Sequence, residues 1–140
     1  MFAAFPLLAL PVLAYNLLAL TVAGGFGGDG APERMSTALF NIRTHAHTEW
    51  PVSLADLLLA GALVVLFIEL LKSTTSRQVA IINHSLSMIL FIVCLVEFLL
   101  FPAFATSAFF LLTLMVLLDV LAGFIVTIVA SRREIDFNDR

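Results

Sequence analysis

The sequence predicts an all-α membrane protein, a four-transmembrane-helix bundle with a small β-hairpin in its first outer loop. Four long apolar runs, residues 2–23, 53–71, 79–101 and 107–130, carry that expectation first. Each approaches the ~20 residues that a helix rising ~1.5 Å per residue needs to cross a ~30 Å hydrocarbon core. Composition is the second observation: 61% of the 140 residues are hydrophobic and 12% are charged, against roughly 25% charged in a typical soluble domain. Mean hydropathy is +1.10. These values exclude a water-soluble globular domain and make the lipid bilayer the expected solvent. With no basic patch, no nucleic-acid partner is expected. The chain reads as a single integral membrane domain, 1–140, because spanning helices satisfy their own backbone hydrogen bonds and leave little chain for a separate core.

The first run, 2–23, carries Pro6 and Pro11. Pro11 has no amide to give the carbonyl of Leu7, so a kink is expected there. A cleaved signal peptide is the alternative, since Thr21-Val22-Ala23 resembles a small-residue cleavage site. Against it, the run has no Lys or Arg to form a positive n-region and is longer than the usual apolar stretch of ~7–15 residues. A retained helix is therefore expected. Residues 24–52 form the outer loop. It opens on Gly24-Gly25-Phe26-Gly27-Gly28-Asp29-Gly30, where the backbone is too free to continue a helix. Apolar and polar residues then alternate around His45-Ala46-His47-Thr48, which predicts a hairpin pairing about 38–43 with 49–53. Pro51 lacks a donor and confines its strand to an edge. Trp50 suits a membrane interface.

Basic residues orient the bundle. Lys72 and Arg77 between the second and third runs, with Arg132, Arg133 and Arg140 in the tail 131–140, set five positive charges against Arg34 and Arg43 in the outer loop. The positive-inside rule then places both termini and residues 72–78 in the cytoplasm, with 24–52 and 102–106 on the opposite side.

Ionisable groups inside apolar runs are expensive in hydrocarbon unless paired, near an interface or facing protein. Asp56 and Glu97 are expected near the outer interface, Glu69 and His84 near the inner one, and Asp119 near the middle. Asn83, Ser87, Cys94 and Glu97 fall within about 80° of one another on a helical wheel, which predicts a polar face turned into the bundle. Asp119, Gly123 and Thr127 recur at i, i+4, i+8, a stripe that lets a neighbouring helix approach closely. The two faces are expected to meet. Glu69 and His84, at similar depth on helices joined by a short turn, are expected to pair. Asn16 is the expected donor to Asp119.

Other motifs are weaker. His45, His47 and Glu49 form an H-x-H-x-E run whose members would share a strand face and could ligate a divalent metal, although a polar turn is the commoner reading. No metal or cofactor is expected. Gly24–Gly30 lacks the Lys-Ser/Thr of a phosphate loop, and no Ser/His/Asp arrangement has recognisable spacing, so an enzyme is not expected. The only cysteine, Cys94, lies within the third run and allows no intrachain disulfide.

Leu66-Phe67-Ile68-Glu69-Leu70-Leu71-Lys72, Ile81-Ile82-Asn83-His84-Ser85-Leu86-Ser87-Met88, and the stretch from Val96-Glu97-Phe98 to Phe104-Ala105-Thr106 resemble a family of small four-helix bacterial inner-membrane proteins of uncharacterised function. The resemblance runs from about Trp50 to Arg133. It implies an inner-membrane location and four helices, and brings no activity, cofactor or partner. The functional expectation is a non-enzymatic accessory or scaffold subunit that packs against a larger membrane complex or against itself as a homo-oligomer. The alternative is a small proton- or ion-coupled transporter acting as an oligomer. Its candidate intramembrane polar site is Asp119, Glu97, Glu69, His84, Asn83 and Asn16.

Overall fold

A computed structural model of the chain describes residues 5–21, 24–72 and 77–138. The order is α1 (Ala9–Thr21), α2 (Ala31–Ser36), β1 (Ala38–Arg43), β2 (Glu49–Ser53), α3 (Leu54–Lys72), α4 (Arg77–Leu100), a 3₁₀ turn at Pro102–Phe104, and α5 (Ser107–Asn138). Among the described residues, three stretches are long and apolar enough to cross a membrane: Leu54–Lys72, Ile81–Leu100 and Ser107–Ile125. The expected second and third runs therefore stand as helices within about two residues of their ends, and the fourth begins where expected.

The first run differs from expectation. It yields a helix of 13 residues, shorter than the ~20 a crossing needs when taken alone. Residues 2–4 and 22–23 of that run lie outside the described residues. The prolines explain the late start. Ala9 and Leu10 donate to the carbonyls of Pro6 and Leu7 at 3.1 and 2.9 Å, so the helix is only beginning when Pro11 arrives. Pro11 thus falls in the first turn, where a missing amide costs nothing, and the expected break is a helix start instead.

α5 continues past the end of the expected apolar run at 130 to Asn138, within the expected tail 131–140, since nothing from Ser131 to Asn138 is glycine or proline to end it. The turn residues 73–76 lie outside the described residues, as does Arg140.

The hairpin forms where alternation places it, with Phe40 opposite Val52, Ile42 opposite Trp50 and Arg43 opposite Glu49. Thr44 and Thr48 close its loop: the Thr44 amide donates to the Thr48 carbonyl at 2.9 Å and the His47 amide to the Thr44 carbonyl at 3.1 Å. His47 takes a left-handed φ of 59°, as the third residue of such a loop does. Helix α2 was not expected. Its Pro32 suits a first turn, and it buries Ala31 and Met35 against the bundle.

β2 passes into α3 without a spacer. Ser53 and Asp56 form a reciprocal cap: the Ser53 amide and hydroxyl donate to Asp56 Oδ2 at 2.8 and 2.6 Å. The Asp56 amide donates back to Ser53 Oγ at 3.2 Å. This satisfies amide donors that every helix start leaves open.

α5 is the central helix. Half of its apolar span, 50%, is buried inside the protein, against 17% for α3 and 22% for α4. It packs on both of them, and α1 lies against all three. Tyr15 of α1, Phe104 of the 3₁₀ turn and Phe109 of α5 form the aromatic centre, with ring centroids 4.7 to 5.6 Å apart. Phe26 joins it from the glycine-rich loop at 5.2 Å from Phe104, and its carbonyl accepts from the Ala103 amide at 3.3 Å. The left-handed φ values of Gly24 (82°) and Gly25 (96°) let the chain turn back from α1 to reach it.

Candidate functional site

Polar side chains gather at two levels of the bundle. At the Lys72 end, Glu69 is fully buried and bonded on both carboxylate oxygens. Oε2 accepts the Leu7 amide at 2.6 Å. Oε1 accepts Asn83 Nδ2 and, at 3.3 Å, Lys72 Nζ. Lys72 spends its remaining donors on the Phe5 carbonyl at 2.7 Å and Asn83 Oδ1 at 3.3 Å. One acid and one base thereby join α3, α4 and the segment before α1. A charge so buried is tolerable because its partner and hydrogen bonds accompany it.

His84 is not the partner of Glu69. Successive residues of a helix point 100° apart, so with Asn83 turned to α3 the His84 ring is turned to α5. There it occupies the notch at Gly123, where an added Cβ would lie 1.9 Å from the ring. Ser87, one turn along on α4, donates to Asp119 Oδ2 at 2.5 Å and approaches its own helix's Asn83 carbonyl at 3.1 Å. The polar face of α4 and the small-residue stripe of α5 therefore meet as expected, with Asn83, Ser87 and Cys94 buried. The Thr127 side chain lies outside the described residues.

Asn16 does not reach Asp119. Its amide donates to Glu97 Oε2 at 3.3 Å and to the Val12 carbonyl at 3.1 Å, near the Phe104 end. Beside it the Tyr15 hydroxyl shares a 2.6 Å hydrogen bond with Thr106 Oγ1 and lies 3.2 Å from the Ala103 carbonyl, to which it can donate. So the six expected residues fall into two groups: Glu69, Asn83, His84 and Asp119 at one level, Asn16 and Glu97 at the other.

Sequence reasoning missed Lys72, Tyr15, Thr106 and the Ser53–Asp56 cap. Two of these had a signal. Lys72 stands three residues after Glu69, on the same helical face. Ser53-x-x-Asp56 is a cap motif directly before an apolar run. Nothing in spacing joins Tyr15 to Thr106, 91 residues away.

At the hairpin tip, His45 and His47 sit in the loop rather than on a strand. Glu49 Oε2 accepts from Asn41 Nδ2 at 3.3 Å. Among the described residues no three His, Cys, Asp or Glu side chains are grouped to hold a metal, so H-x-H-x-E does not converge.

The hairpin has another conspicuous feature. Directly paired residues share a face, so Phe40, Ile42 and Trp50 lie together, and they are 49%, 43% and 54% exposed, while Val52, opposite Phe40 on the same face, is buried. Sequence alternation gave a face, and the protein itself leaves most of it uncovered.

In comparisons with known proteins, no family model, no curated protein and no solved structure matches this chain.

Proposed function

We propose that the chain is a four-crossing protein of the bacterial inner membrane that serves as a non-enzymatic accessory or scaffold subunit, docking through its hairpin to a larger membrane complex or to a second copy. The observation that carries this reading is the exposed apolar face of Phe40, Ile42 and Trp50. It precedes Leu54, where the first long apolar span begins, and so lies outside the candidate spans. An apolar patch outside the hydrocarbon marks an interaction surface.

The fourth crossing is supported by the course of α1. Leu7 is held to Glu69 at the Lys72 end, and Tyr15 is held to Thr106 at the other. Residues 5–21 thus run alongside the three spans, presenting Leu10, Leu13, Leu17 and Leu20 outward. The buried pair Glu69–Lys72 fastens this segment to the bundle, a structural use for charges that would otherwise be costly in lipid.

The test is purification in mild detergent of the wild type and of Ile42→Asp. A stoichiometric companion, or a dimer, that is present in the wild type and lost from the folded variant supports the reading. Wild-type protein that is monomeric and alone sinks it.

A further inference from the structure

Three buried side-chain atoms among the described residues make no hydrogen bond: Nδ1 and Nε2 of His84 and Oδ1 of Asp119. They belong to one seam. His84 and Ser87 on α4 face Gly123 and Asp119 on α5, the serine bonded to the carboxylate at 2.5 Å and the imidazole set into the glycine notch. Asp119 is fully buried and His84 is 8% exposed. A buried acid with one oxygen unbonded, beside a buried base with neither nitrogen bonded, is an expensive arrangement unless something bridges or shares between them.

The surroundings define what that is. The charged groups within electrostatic range of Asp119 are Glu69 and Lys72 of α3 and His84 of α4. Glu69 and Lys72 balance each other across 3.3 Å. Among the described residues the charge of the seam is therefore set by Asp119 and His84, and one proton held between them makes it neutral. A divalent cation would call for at least three acid, histidine or thiolate ligands, and the described residues group no such set.

There is also a route in. His84 lines an open groove of about 210 Å3 with Ile81, Ser85, Met88, Gly123 and Phe124. A water molecule occupies ~30 Å3 of liquid, so the groove has room for several, with His84 and Ser85 as its polar lining. The imidazole borders that groove and belongs to the same seam as the carboxylate, and its two buried ring nitrogens can exchange donor and acceptor roles.

We propose that His84 and Asp119 form a binding site for one exchangeable proton, reached through this groove, with His84 as the relay and Asp119 as the terminal acceptor. Uptake transfers a proton from hydronium in the groove to one imidazole nitrogen, leaving water. The other nitrogen releases its proton through a bridging water to Asp119 Oδ1, and release reverses both steps. No other bond is made or broken. The site stands apart from the docking reading, since the hairpin contributes no residue to it.

Infrared difference spectra between acidic and alkaline buffer test this on the full chain in lipid nanodiscs. Among the carboxylic-acid carbonyl bands that shift on ¹³C labelling of the five aspartates, the expected wild-type spectrum has one that disappears in Asp119→Asn. His84→Gln should displace the band and slow its appearance after a pH jump. The labelled wild type and His84→Gln serve if Asp119→Asn does not fold. A label-sensitive spectrum that Asp119→Asn leaves unchanged overturns the site. A band whose position and rate are unchanged in His84→Gln overturns the relay.

Discussion

Ser87 of α4 donates a 2.5 Å hydrogen bond to Asp119 of α5, one turn from the place where the His84 ring fills the notch at Gly123. The pairing sets how closely the two helices approach, because a side chain on α5 at position 123 would stand inside the imidazole. Gly123→Ala should therefore force the helices apart and lower stability by about 1–3 kcal/mol, the usual cost of overpacking. His84→Ala in the same protein should recover most of that loss. A double-mutant cycle on thermal unfolding in nanodiscs reads the coupling, and additive losses would contradict the contact.

Lys72→Met removes the cation from a fully buried acid. The expected loss is about 3 kcal/mol, the lower end for a broken buried pair because the Lys72 side chain is 19% exposed. Adding Glu69→Gln should restore part of it, since the amide keeps a bond to Asn83 or to the Leu7 amide without the charge. Steric-trapping measurements of the single and double variants decide the matter.

Tyr15→Phe keeps the aromatic packing against Phe104 and Phe109 and deletes only the hydroxyl. Its loss should be about 1 kcal/mol, as for interhelical hydrogen bonds in membranes generally. Thr106→Val should cost a similar amount, and the pair together less than the sum. Equal and additive effects would mean that the two hydroxyls act separately.

These variants follow from contacts of uneven legibility. Apolar run length located α3 and α4 nearly to the residue, and strand alternation located the hairpin, because both signals are local. The inward face of α4 was equally plain from its period. Pairing was not, for two reasons seen in particular residues. Asn16 was placed by depth counted from residue 2, but the helix starts at Ala9 with Leu7 already level with Glu69, which carries Asn16 to the level of Glu97. Glu69 and His84 do share a depth, yet one residue of rotation gives the acid to Asn83 and turns the imidazole to the next helix. The length of a run says how deep a residue lies only after its helix start is known.

Ser53→Ala should unfasten the first turn of α3. A lost cap of this kind costs about 1 kcal/mol, and faster amide exchange should be confined to Leu54–Leu57. Asp56→Ala should reproduce it, since each residue serves the other's amide. Exchange unchanged in both variants would show that the cap contributes nothing.

Reporter fusions test the expected orientation. A cytoplasm-active reporter after Arg77 should work and one after Gly30 should fail, with the reverse pattern for a reporter active only outside. Activity of an outside reporter at Arg77 would invert the bundle.

The continuity of β2 into α3 has a mechanical consequence. With no intervening residues and a reciprocal clasp at Ser53 and Asp56, the ribbon has no slack tether on that side. A body gripping Trp50 would not swing freely above the membrane. It would hold a lever whose fulcrum is the first turn of α3, and any tilt or twist applied there would be delivered to α3 as torque, and through α3 to the central helix it packs on.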